Sequence, residues 1–219
     1  MAIIQVYEGK ELTEYQLPDT WADVKLHQYC GLIIRLEKER DERMAVMMRT
    51  IEALTDMTIH QVSRIPYKHL FKIYEHLIKL LKVEPNQELV FKIEAKDKTY
   101  GFHPDLKNMT MGEFVDLETA MKSPYENMAE IMAILYRPII DQEGDKYKIE
   151  EYGGVKEEDI EFMKNINMDI VHSASAFFLE LNKELEMNLV SYLEDMKTEI
   201  TEQGYQMTMQ KLKNLKTKL

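Results

Sequence analysis

Along this 219-residue chain the hydrophobic positions change rhythm repeatedly, from short runs bounded by turn residues to spacings of three and four. The opening "IIQVYEGKELTEYQLPDTW" reads as a strand, a turn at Glu8, Gly9 and Lys10, and a second strand ending at Pro18. "ELVFKIEAKDKTYGFHPDL" repeats that plan, with a turn near Lys96 to Lys98 and a second strand ending at Pro104. Between them, Leu70, Ile73, Leu77, Leu80 and Leu81 form a helical stripe behind Pro66, a residue suited to a first helical turn. "IIDQEGDKYKIEEYGG" predicts a third hairpin turning at Gly144, then a hinge at Tyr152, Gly153 and Gly154. From Met168 to Gln203 a long helical pattern runs unbroken to Gly204, with Phe178, Leu181, Leu185, Leu189, Tyr192, Met196 and Ile200 on one stripe. The predicted fold class is mainly α with small β hairpins (α+β).

Helix starts are written in a recurring seven-residue pattern. In "NMTMGEF" Thr110 is placed as N-cap and Glu113 at N3, the two members of a capping box, while Met109 and Phe114 hold the positions of a hydrophobic staple. In "DMTIHQV" these roles fall to Thr58, Gln61, Met57 and Val62. In "DVKLHQY" the staple pair is Val24 with Tyr29 and Gln28 stands at N3, but Lys25 replaces the capping hydroxyl, leaving Asp23 as the substitute. Ser123, Pro124 and Glu126 open another boxed helix, which Pro138 is expected to stop.

Two of these starts share their surroundings. Each follows a hairpin ending in Pro-Asp, and "ERMAVMM" at Glu42 to Met48 answers "ENMAEIM" at Glu126 to Met132. An internal duplication of a hairpin-helix-helix unit is expected, dividing the chain into residues 1–83, 84–154 and a helical extension, 155–219. "VEPNQE" at Val83 to Glu88 marks the boundary between the halves.

Charge narrows the partners. The formal net charge of -11 argues against nucleic acid as the main partner, since a phosphate backbone demands clustered Lys and Arg, and so favours protein. The terminal "KLKNLKTKL" is a local exception, suited to a helix end or to an acidic partner surface. Its single cysteine, Cys30, rules out an internal disulfide framework and fits a reducing compartment. No apolar run approaches the roughly 20 residues that cross a bilayer, and no leader pattern opens the chain, so a cytoplasmic protein without a membrane partner is expected. Sixteen methionines supply flexible side chains for core and adaptable interfaces alike.

Candidate chemistry is sparse. His69 and His76 stand seven apart with Glu75 nearby, but there is no H-E-x-x-H pair and no cysteine pair, so no metal site is expected. Nor does the chain contain G-x-S-x-G, a P-loop or G-x-G-x-x-G, and no catalytic or cofactor-binding residue is assigned. Arg137 is expected to satisfy helix-terminal carbonyls or to pair with an acid such as Asp116, a partner-binding role being the alternative. Phe178, Leu181, Leu185, Leu189, Tyr192 and Met196 are the other candidate partner-binding residues. A helix over 168–203 would be about 54 Å long, against a radius of gyration of about 17 Å for a compact chain of this size. Its stripe needs a cover, from a neighbouring subunit, another protein or the chain folded back, and Ser173 to Ala176 are small enough for another backbone to approach.

"LPDTWADVKLHQYCGL", "DLKNMTMGEFVDLE" and "MAEIMAILYRPI" together resemble a group of small proteins encoded beside tail genes in tailed bacteriophages. The matching residues are Pro18, Trp21, Leu26, Gln28 and Tyr29, then Thr110, Gly112, Glu113, Phe114, Asp116, Leu117 and Glu118, then Leu135, Tyr136, Arg137 and Pro138. The resemblance covers residues 1 to 140, and Lys25 departs from the usual hydroxyl. It implies a tail-assembly-chaperone-like or small virion protein without enzymatic activity. Such a protein would contact other phage structural or tail proteins and itself, as a homo-oligomer, in the host cytoplasm during assembly or in the virion. The alternatives are a soluble cytoplasmic adaptor and a packaged internal virion protein.

Overall fold

A computed structural model describes residues 2–8, 11–38 and 43–177. Residues 1–174 form one compact unit and 175–219 a second, of which only 175–177 are described. Strands β1 (Ala2–Glu8) and β2 (Glu11–Leu17) form an antiparallel hairpin. A 3-10 turn (Trp21–Asp23) leads into α1 (Leu26–Lys38), α2 (Arg43–Leu54), α3 (Ile59–Ser63) and α4 (Tyr67–Leu81). Next come β3 (Lys92–Glu94), β4 (Thr99–Phe102), a second 3-10 turn (Leu106–Asn108), α5 (Met111–Ala120) and α6 (Pro124–Leu135). Strands β5 (Tyr136–Glu143) and β6 (Lys146–Ile149) complete an antiparallel sheet in the order β3-β4-β5-β6. Helix α7 (Glu157–Lys164) precedes α8, described over residues 168–177. The protein is thus mainly helical with two small antiparallel sheets, and the order hairpin, 3-10 turn, two helices occurs at β1 to α2 and again at β3 to α6.

Two capping boxes close as written in the sequence. Thr58 Oγ1 accepts from Gln61 N at 3.3 Å while Gln61 Oε1 accepts from Thr58 N at 2.7 Å, and Thr110 and Glu113 exchange the equivalent bonds at the start of α5. At α1 only half a box forms, Lys25 N donating to Gln28 Oε1 at 2.9 Å. Asp23 does not substitute for the missing hydroxyl. Its carboxylate accepts from Asp19 N at 3.1 Å and Thr20 N at 2.9 Å, and so caps the preceding 3-10 turn. Ser123 makes no side-chain cap bond either; Pro124 opens α6 at N1.

The staples divide. Met57 and Val62 are buried, as is Val24, but Phe114 is 55% exposed and does not staple α5. The buried side of α5 is set by Glu113, Leu117 and Ala120, a spacing of four and three that leaves the residue after Glu113 facing water.

Helix α6 passes into β5 without a loop. The expected stop at Pro138 comes two residues early, because Tyr136 is already extended (φ -117°, ψ 119°) and Arg137 precedes a proline, which disfavours helical backbone. Pro138 lies inside β5 opposite Tyr100, and its carbonyl accepts from Glu150 N at 2.8 Å. Around this junction Tyr100, Phe102, Met132, Ile134, Leu135 and Tyr136 are all buried in the core.

The expected halves share one unit. Trp21, on the first 3-10 turn, donates from Nε1 to Val83 O at 2.8 Å and meets His172 of α8 edge to face at 4.5 Å. Helix α7 is held to the sheet by Tyr100, which donates to Asp159 Oδ1 at 2.6 Å and stacks on Phe162. Helix α8 starts where the pattern placed it, fixed by Met168 N donating to Val24 O at 2.8 Å. Ser173 and Ala174 are buried within residues 1–174, so these two are covered by their own chain rather than open to another backbone. Phe178, Leu181, Leu185, Leu189, Tyr192, Met196 and Ile200 lie outside the described residues, as does the lysine-rich terminus.

Candidate functional site

Arg137 was the one described candidate, and it is found indoors. Its strand sits beside β4 with Arg137 opposite Gly101, and its guanidinium forms an ion pair with Glu113 Oε1. Glu113 is 2% exposed and Arg137 9%. His103 completes the cluster: its Nδ1 accepts from Asp105 N at 3.2 Å, which leaves the proton on Nε2, 3.4 Å from Glu113 Oε1. Asp116, the expected partner, accepts instead from the Tyr152 hydroxyl at 2.6 Å, and the Tyr152 ring lies 5.5 Å from the Arg137 guanidinium carbon. The supposed hinge at Tyr152 is therefore tied to α5, with the left-handed turn falling at Gly154 (φ 92°).

The charges in this cluster answer one another. Burial works against the Glu113 carboxylate, but hydrogen bonds from Thr110 and the nearby Arg137 charge outweigh it and hold the group below its ordinary range. Burial, aided by Arg137, lowers His103 and keeps it neutral more readily than a free histidine. The cluster is thus a connector between a helix start, two strands and a loop.

Other sequence candidates are apart. His69 is exposed, and His76 Nε2 donates to Pro18 O at 3.0 Å and lies 3.1 Å from the Asp19 carboxylate. No group of three metal-ligating side chains occurs among the described residues. Cys30 is buried, and burial pushes its thiol up to about 11, far from nucleophilic use.

The site that sequence reasoning missed is a groove of about 710 Å³ between the first hairpin and α4. Ile4, Leu17, Ile65 and Ile73 give it an apolar floor, and Arg64 and Lys72 a cationic rim, with the imidazoles of His69 and His76 beside them. Arg64, Lys68, Lys72, Lys79 and Lys82 face only Glu75 as a sequence neighbour of opposite charge within 64–82, so this segment is basic in an acidic chain. Among the described residues no carboxylate pairs with Arg64 or Lys72. The cations at 64, 68 and 72 were a legible signal, but the floor needs residues from β1 and α4 together. A second exposed apolar set, Met111, Phe114, Val115, Met121 and Tyr125, lies on and beside α5.

Comparison of the chain with protein families, with curated proteins and with solved structures finds no match.

Proposed function

We propose that the protein is a non-enzymatic bacteriophage structural or assembly protein of the tail or head-to-tail region, acting through oligomeric protein contacts. The motif resemblance supplies the phage context. The observation that supports a contact role is the exposure of Met111, Phe114 and Val115 on the helix that carries "TMGEF". Adjacent large apolar side chains in water mark interaction surfaces, and methionine adapts to an irregular partner. The buried charges of Glu113 and Arg137 pair with each other beside the imidazole of His103, which suits a scaffold. The repeated hairpin, turn and helix pair reads in the same light as a duplicated building unit. Mass spectrometry of purified particles and of assembly intermediates tests the proposal. Recovery from either is expected; absence from both, with a coding region set among metabolic genes, would sink it.

A further inference from the structure

We propose that the groove between the β1–β2 hairpin and α4 seats residues 178–203 of a second copy of this chain, an inference that rests on the oligomeric reading above and names its contact. The groove asks for a particular occupant: an apolar stripe to cover Ile4, Ile65 and Ile73, flanked by carboxylates for Arg64 and Lys72. Residues 178–203 have that chemistry. The stripe from Phe178 to Ile200 is accompanied by Glu180, Glu184, Glu186, Glu194, Asp195 and Glu199, against Lys183 and Lys197 as the only cations. A basic groove and an acidic amphipathic segment thus occur in one polypeptide whose overall charge is -11. Helix-in-groove docking is the mode that suits such a pair.

The second copy is favoured over the same copy by the sequence that leads into the segment. No Gly or Pro occurs between Met168 and Gln203, so the pattern that opens as α8 offers no residue at which a sharp reversal is expected. Groove and segment are different surfaces, and each copy that gives its segment keeps a groove to fill. The contact is heterologous, and its repetition closes a ring or continues as a filament.

Sedimentation velocity of the full-length chain, at low and high salt, tests this. Self-association is expected, weakening as salt screens the rim. Arg64→Glu with Lys72→Glu should weaken it about tenfold or more, Glu184→Lys with Glu194→Lys should do the same, and the four changes combined should recover association. A synthetic peptide of residues 178–203 should dissociate the wild-type assembly. Both cations of the rim are exposed, and unchanged circular-dichroism melting would confirm that the variants fold. A monomeric wild type, association indifferent to the Arg64 and Lys72 changes, a combined chain no better than its parents, or an inert peptide would each overturn the proposal. Absence from particles would sink the phage reading and leave this association standing; a monomer found in particles would sink this inference alone.

Discussion

The guanidinium of Arg137 on β5 closes on the carboxylate of Glu113, the third residue of α5, so that one side chain serves a helix cap and a strand at once. Glu113 Oε2 accepts from Thr110 N while Oε1 faces Arg137 and His103. Removing either partner strands a buried charge. Arg137→Ala and Glu113→Ala are each expected to cost about 3–5 kcal/mol, and the double variant less than their sum. Urea denaturation of the four proteins measures the coupling, and additive losses would contradict the pairing.

Stability should fall on the acid side in two stages. The His103 value is lowered in the folded protein, so its contribution is complete above the unfolded value of about 6.5 and declines as pH falls from there through the folded value. The Glu113 value is also lowered, so its contribution is complete above about 4.3 and is lost as pH falls through the folded value. Between pH 7.5 and 5, chemical denaturation should show wild type losing more stability than His103→Asn. The variant should keep part of the slope, since burial also lowers His172. Identical slopes would remove His103 from the account.

Capping and stapling part company at α5. Thr110→Ala is expected to cost about 1 kcal/mol by loss of the box, whereas Phe114→Ala should stay within about 0.5 kcal/mol, as at exposed positions generally. If Phe114 instead serves a contact, its replacement lowers assembly without lowering the melting temperature. A loss of several kcal/mol at Phe114 would mean that the ring is packed.

Gly101 is required by its neighbours. A Cβ there would lie 3.0 Å from Ile139 Cγ1 and collide with the Tyr147 ring, whose hydroxyl donates to Phe102 O at 2.7 Å. Gly101→Ala is expected to destabilise by about 1–3 kcal/mol, as overpacking does. Adding Tyr147→Ala should relieve the clash, so that the second change costs less in the Gly101→Ala background than in wild type. Equal costs in the two backgrounds would rule out the contact.

The hairpins, the boxes at Thr58 and Thr110 and the stripe of α4 were legible in the sequence because each depends on residues within a few positions of one another. Turn residues and caps act on the nearest backbone, and a helical stripe repeats along one element. Tertiary structure decided what those local rules leave open. Glu113 and Asp116 are three apart on α5, and either could have met Arg137; the placement of β5 and the Tyr152 loop gave Arg137 to Glu113 and Asp116 to Tyr152. The same placement drew Glu113 inward and left Phe114 in water, against the ordinary preference of both residues, because a charge with an ion pair and hydrogen bonds can be buried where an unpaired one cannot. The groove likewise exists only where β1 approaches α4, some sixty positions apart in the chain, a meeting that no local pattern encodes.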